Sequence, residues 1–361
     1  MSTITEEAPP AGRRTWVARG LRGDRFSMRI DVRSVTVSAV SALAAAALLV
    51  VTLSMGDVAI AFSDVLAVLA GHGTPKAQLV VGEWRLPRAL LALALGAALG
   101  LSGAVFQSLT RNPLGSPDII GFSTGAYTGG LVVILALGGS YLLTAAGAVV
   151  GGLLTAVVVY GLSRSRGAVQ SFRLIIVGIG VSATLASVNT WLITRADVDD
   201  AMAASVWGSG SLGGLGMTQL VPVLAILAVV VPVLFTYGPG LRMLEMGDDL
   251  ARAAGTRVER VRLGAMLWAI VLVAVATAAA GPIAFIALVA PQISRRLVGT
   301  ASIAFAPAAL TGAFLLLLSD LLAQRVFAPT QLPVGIMTVT LGGVYFVWLL
   351  VRESTGYARR R

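Results

Sequence analysis

Apolar positions in this chain come in long blocks rather than in the alternation that builds a half-buried strand. Ten such blocks run over residues 35–56, 89–109, 118–138, 141–162, 172–194, 219–237, 262–280, 283–294, 303–323 and 333–351. A helix needs about 20 apolar residues to cross a hydrocarbon layer of about 30 Å, and a helix satisfies all of its own backbone hydrogen bonds there. The pattern predicts an all-α polytopic membrane protein with about ten transmembrane helices. The eighth block is short for a full crossing. Glycines recur at helical spacing inside the blocks, with Gly96, Gly100 and Gly103 in the second and Gly121, Gly125 and Gly129 in the third. Small residues on one face let helix backbones approach closely, which is how spans pack when lipid removes the hydrophobic drive between them. The same faces also suit helices that slide.

Composition sharpens this picture. Charged residues make up 12% of the 361 positions against 57% hydrophobic, with a mean hydropathy of +0.87, whereas soluble domains carry about 25% charge. The net charge of +10 would fit nucleic acid, but its distribution follows the spans. With the N-terminus cytoplasmic, every Lys and Arg except Lys76, Arg85, Arg88, Arg195 and Arg325 falls on the cytoplasmic side. Such a bias orients a membrane protein and puts both termini in the cytoplasm. Residues 1–33, with Pro9, Pro10 and seven arginines, are expected to form a disordered cytoplasmic tail. The apolar run that follows is long enough to be a retained helix rather than a cleaved signal. Residues 34–352 then form a single transmembrane domain, and 353–361 a C-terminal cytoplasmic tail. There is no cysteine, and His72 is the only histidine. Disulfides, thiolate chemistry and most transition-metal sites are thereby excluded, so a metal handled by this chain would arrive inside its own chelator.

The polar segments carry the candidate chemistry. Arg85 and Arg88 stand around Pro87 at the outer end of the second span, and Arg111 and Asn112 open a polar turn at its inner end. Outside, residues 57–84 contain a short amphipathic stretch, Phe62 to Leu69, suited to the interface, and residues 195–218 contain the turn-rich series Trp207 to Leu212. Trp84, Trp191, Trp207 and Trp348 fall near span ends, where indole anchors to headgroups. Inside lies the loop 238–261. Gly247 ends one short element there, and Asp248 and Asp249 suit the first turn of the next. Helical turns over Leu250 to Ala254 are stopped by Gly255. The loop reads either as a handle for a soluble partner or as a charged, solvated connection. Asp320 lies within the ninth span, where an ionisable group is expensive. A structural charge or hydrogen-bond partner near the interface is the preferred reading, and a proton relay the other. A secondary transporter driven by protons or sodium would need several such acids. The chain also lacks a Walker motif and any nucleophile–base set, so it is read as non-catalytic.

Four runs carry a family resemblance: Arg85-Leu-Pro-Arg88; Gly96 through Gln107 with Arg111-Asn-Pro-Leu-Gly-Ser-Pro-Asp118; Met246-Gly-Asp-Asp-Leu-Ala-Arg-Ala-Ala-Gly255; and Gly281 through Gln292 with Gln331-Leu-Pro-Val-Gly335. In this order they resemble the FecCD family, the membrane subunits of ABC importers for ferric siderophores, haem and cobalamin. Glu83-Trp84 before Arg85, Leu244 to Asp249, and Leu341-Gly-Gly-Val-Tyr345 are similar to the G-type subunits of ferric-enterobactin permeases. The resemblance implies a permease subunit in the bacterial cytoplasmic membrane that moves a catecholate, enterobactin-like ferric siderophore, with a haem or cobalamin permease as the alternative.

The same resemblance assigns roles to residues. Arg85, Arg88 and Arg325 would dock a periplasmic or lipid-anchored siderophore-binding protein, since guanidinium forks pair carboxylates in defined geometry. Lipid-phosphate anchoring remains the other reading for Arg88 and Arg325. Asn112, Leu114, Ser171 and Phe172 would form the cytoplasmic gate, although Asn112 also reads as a helix cap. Gly247, Asp248, Asp249, Arg252 and Gly255 would couple to ABC ATPase subunits. Those subunits would use the ATP and Mg, so no cofactor is expected on this chain. The G-type likeness further implies a second FecCD-type permease as a heterodimer partner. Where the family commonly has histidine, this chain has Gln292, which exchanges hydrogen bonds but does not titrate near neutral pH.

Overall fold

A computed structural model describes the backbone of residues 4–7, 15–19, 27–56, 58–165, 168–169 and 171–358, and the side chains of 31–56, 58–164, 172–349 and 351–352. In chain order the helices are α1 (Val32–Ser54), α2 (Phe62–Leu69), α3 (Pro75–Ala77), a π-helical segment (Gln78–Arg85) and α4 (Leu86–Thr110). They continue with α5 (Phe122–Leu137), α6 (Tyr141–Ser163), α7 (Ser171–Arg195), α8 (Val198–Gly208) and α9 (Met217–Thr236). Then follow α10 (Gly238–Glu245), α11 (Asp248–Ala253), α12 (Val258–Ala280), α13 (Ile286–Val298), α14 (Phe305–Arg325) and α15 (Val334–Ala358). Each of the ten apolar blocks contains one long helix, namely α1, α4, α5, α6, α7, α9, α12, α13, α14 and α15. Among the described residues, seven helical runs are long and apolar enough to cross a membrane, and Phe122–Leu137 and Val334–Leu349 are shorter apolar helices. At about 1.5 Å per residue, the thirteen residues of α13 reach only about two-thirds of the way across.

The bundle is built around α4. Together with α3 and the π-helical segment it forms a continuous run, Pro75–Thr110, whose apolar window is 83% buried, against 11% for α1. Helices α12, α13 and α14 pack on it. The glycines explain the closeness. A Cβ at Gly103 would fall on the Ala287 carbonyl at the head of α13, and one at Gly96 on the Gly312 carbonyl of α14. These positions therefore serve packing. Across the α4–α12 contact Ser102 Oγ donates to the Ala269 carbonyl at 2.8 Å, and across the α4–α13 contact Gln107 Nε2 donates to that of Leu288 at 2.9 Å. On the outer side, the Trp207–Leu212 series laces α12 to α15. Ser211 N–H donates to the Ala280 carbonyl at 2.7 Å, and Gly335 N–H to that of Gly210 at 3.1 Å.

Two boundaries differ from expectation. The tail 1–33, expected to be disordered, contains three short strands, β1 (Ile4–Glu7), β2 (Thr15–Arg19) and β3 (Ser27–Asp31), paired antiparallel in the order β1-β2-β3. Thr15, Trp16, Val17 and Ile30 favour extended backbone, and Trp16 pairs with Ile30. The polar and proline content of the whole tail concealed that local signal. Asp31 then caps α1 by accepting from Arg33 N–H at 3.0 Å, and Arg33 Nε donates to the Leu297 carbonyl at 2.9 Å, tying the start of α1 to α13. At the other end α15 continues to Ala358, through most of the expected C-terminal tail. A short hairpin, β4 (Arg164–Ser165) with β5 (Ala168–Val169), joins α6 to α7.

Candidate docking cavity, inner gate and coupling segment

At the outer mouth, the π-helical turn and the proline-led start of α4 bring Arg85 and Arg88 to one cavity with Arg325, the last residue of α14. This cavity of about 200 Å³ is also lined by Trp84, Asp320, Gln324 and Gln331. Among the described residues that line it, three carry guanidinium groups and one, Asp320, a carboxylate. Arg85 is held by backbone: Nη1 donates to the Leu53 carbonyl at 2.8 Å and Nη2 to that of Val58 at 2.6 Å. Gly56 lacks the side chain that would collide with this guanidinium. Arg88 grips Asp320 through Nη2 to Oδ1 at 2.8 Å and Nε to Oδ2 at 3.1 Å, and its Nη1 reaches Gln331 Oε1 at 3.3 Å. Gln324 Nε2 donates to Asp320 Oδ2 at 2.8 Å. The Arg88 and Asp320 side chains are 16% and 0% exposed, so Asp320 is the structural partner that its position near the interface favoured.

Removing one member of a buried ion pair leaves the other uncompensated, at a cost of about 3–5 kcal/mol. Asp320→Ala is therefore expected to lower the thermal stability of the detergent-extracted protein sharply. Asp320→Asn keeps an acceptor for Arg88 and should lose less. Thermal unfolding of both variants checks this. Transport abolished in Asp320→Asn at unchanged stability would instead mark the carboxylate as a proton carrier.

The inner end of α4 closes in a left-handed turn. Arg111 has φ of 50°, Arg111 N–H donates to the Ser108 carbonyl at 3.2 Å, and Asn112 N–H donates to that of Gln107 at 3.2 Å. This is the Schellman arrangement, with arginine where glycine is usual. The Asn112 side chain then accepts from Leu114 N–H at 2.9 Å, so it shapes the turn after the helix rather than capping the helix itself. Gln292 Nε2 donates to the Pro113 carbonyl at 2.7 Å, which gives the residue in the histidine position a plain hydrogen-bonding role. Arg295 Nη2 donates to Gln107 Oε1. Asn112, Leu114, Gln292, Arg295, Arg296 and Phe346 line a cavity of about 670 Å³. Phe172 is 74% exposed and does not line that cavity. Ser171 begins α7, and its side chain lies outside the described residues.

The 238–261 loop has the punctuation its sequence implied. Helix α10 ends before Gly247, which has φ of 113°, and α11 starts at Asp248 and ends before Gly255, with φ of 79°. The structure divides this segment into two faces. Met246 and Leu250 are exposed, and the Asp249 side chain is fully so, with Arg252 Nη1 at 3.0 Å from Asp249 Oδ1. Ala251 and Leu244 are buried. Asp248 turns inward, with Oδ2 at 2.7 Å from Arg262 Nη2 and Oδ1 at 3.6 Å from Arg111 Nη2. Sequence reasoning grouped Asp248 with its outward neighbours and missed this bridge. The available signal was Arg262, the one charge that falls inside the apolar block 262–280. Glu245 accepts from Ser302 Oγ at 2.6 Å and from Ile303 N–H at 3.1 Å. Among the described residues, no group of three His, Asp or Glu stands close enough together to hold a metal.

A bundle of long apolar helices with a cationic mouth at one end and a polar turn and short helical segment at the other defines a multi-pass membrane protein. The profile of the FecCD transport family matches residues 43–352, and the chain belongs to that family. It is 51% identical over 302 residues to the ferric enterobactin transport system permease protein FepG of Escherichia coli (strain K12), a match covering 84% of this chain and 91% of that one. It is 37% identical over 333 residues to the iron(3+)-hydroxamate import system permease protein FhuG of Bacillus subtilis (strain 168), covering 88% and 97%. Among solved structures, an inward-facing ABC transporter of metal-chelate type superposes with a TM-score of 0.78 at 26% identity, covering 88% of this chain and 99% of the other.

Proposed function

We propose that this chain is the permease subunit of a binding-protein-dependent ABC importer that carries a ferric siderophore of the catecholate, enterobactin type across the inner membrane. The observation that carries the cargo is the 51% identity to the enterobactin permease over nearly its whole length. The chain has no Walker motif, so ATP and Mg are used by a separate ATPase subunit. That subunit seats on the exposed face of the coupling segment, at Met246, Asp249, Leu250 and Arg252. The pore is completed by a second FecCD-type permease.

Carboxylates of a siderophore-binding protein dock at the outer cavity around Arg85, Arg88 and Arg325. The gathering of three guanidinium groups at one outward cavity supports this reading. Because Arg88 already holds Asp320, docking would work by sharing or exchange rather than by filling an empty site. That suits contacts which must be oriented yet reversible. ATP binding then shifts the population between outward and inward arrangements through the coupling segment, and Asn112 and Leu114 with Ser171 and Phe172 gate the exit.

Purification of the permease with its ATPase, followed by ATPase assays with and without the loaded binding protein, tests this assembly. Hydrolysis stimulated by the loaded binding protein is expected. Failure of any ATPase to copurify would remove the proposal.

A further inference from the structure

We infer that Asp248 is a positioning residue that ties the coupling segment to the inner gate turn through Arg111, rather than a contact for the ATPase. The inference rests on the coupling and gate roles given above. Its basis is the division of the coupling segment into two faces. Asp249 and Leu250, which follow Asp248 directly, point outward, while the Asp248 carboxylate bridges two elements of the bundle. One is Arg262 in the second turn of α12, 5% exposed and also held by Glu259 at 3.0 Å. The other is Arg111, the residue that ends α4 and precedes Asn112.

The conformation of Arg111 is the second observation. A residue with a Cβ pays sterically for φ of 50°, and glycine would relieve that cost. A half-exposed ion pair at 3.6 Å gains little stability to offset it. Neither term explains an arginine at this corner. Its place does, because a movement of Asp248 pulls on the residue from which the gate turn hangs. Gly247 lies beside the same guanidinium, since a Cβ placed there would be in ordinary van der Waals contact with Arg111 Nη1 at 3.7 Å. Glu245 makes the matching tie on the other side of the segment, to the loop between α13 and α14. Among the described residues the coupling segment therefore holds the bundle at two carboxylates, and the Asp248 tie is the one made to the residue that opens the gate turn.

The test uses the assembled transporter. The chain has no cysteine, so Leu114→Cys places its only thiol on the gate turn. The maleimide labelling rate of that thiol is compared with and without ATP plus vanadate. A change of about tenfold on trapping, in the usual range of coupling between sites, is expected in the Leu114→Cys background. Arg111→Gly, which relaxes the left-handed corner while removing the ion pair, should collapse that change although the complex still hydrolyses ATP. Arg111→Lys should restore part of it. Asp248→Asn should behave as Arg111→Gly does, and the two together should be no worse than either alone. If Asp248→Asn fails to assemble because Arg262 loses one of its two carboxylate partners, Arg111→Gly decides the matter. Undiminished nucleotide dependence in Arg111→Gly would overturn the inference. Absence of any nucleotide dependence in Leu114→Cys alone would instead overturn the gate and coupling reading on which it rests.

Discussion

Reversing the charge of both Arg85 and Arg88 to Glu is expected to abolish stimulation of ATP hydrolysis by the loaded binding protein. Two effects combine in that result. The outer cavity loses two of its three cations, so an acidic docking surface meets repulsion where it had attraction. The Arg88→Glu change also sets a second carboxylate against buried Asp320, and like charges in such a site are costly. The contributions separate when the pair is inverted. Arg88→Asp combined with Asp320→Arg keeps an ion pair between α4 and α14 while moving the cation away from position 88. Folding should recover, measured as assembled complex by size exclusion, and stimulation should remain poor. Full stimulation in the inverted pair would show that position 88 serves the fold alone.

The second large effect is expected inside the bundle. Gly103→Val puts a branched side chain where the Ala287 backbone already sits. Overpacking a core typically costs about 1–3 kcal/mol, and this contact is worse because a carbonyl, not a flexible side chain, would have to yield. Helices α4 and α13 would be forced apart along the line that holds Gln107 to Leu288 and Arg295 to Gln107. Little folded protein should reach the membrane. Gly161→Val is the control, since no described residue lies within 4 Å of a Cβ built there, and it should accumulate normally. Membrane yield and protease resistance of the two variants make the comparison.

Much of this architecture was legible in the sequence, because each level of pattern reports one physical constraint. Bilayer thickness sets block length, so the ten long helices could be located before any contact was known. Cation asymmetry supplied the expected orientation. Glycine and aspartate punctuation placed α11 almost to the residue. Contacts between distant segments were not legible in that way. The pairing of Arg88 with Asp320, 232 positions later, leaves no local trace, and the two residues were read as separate features. Asp248 and Asp249 are chemically alike in sequence, yet one helical step turns one inward and the other out. The strands in the N-terminal tail were missed because composition averaged over 33 residues hides a run as short as Thr15-Trp16-Val17. The family resemblance contributed what periodicity could not, an expected role for each mouth of α4. The structure then added that Arg85 and Arg88 both hold internal partners.

The central claim is that this permease admits ferric catecholates. It is tested most directly by uptake of radioactive iron into cells whose own copy of this subunit has been deleted and then restored. Iron is presented in turn as ferric enterobactin, as a ferric hydroxamate and as haem, with labelled cobalamin alongside. Deletion is expected to remove uptake from ferric enterobactin, and the restored chain to return it, with the other three cargoes unaffected. Ferric enterobactin uptake that persists undiminished in the deleted cells, or loss confined to another cargo, would contradict the account.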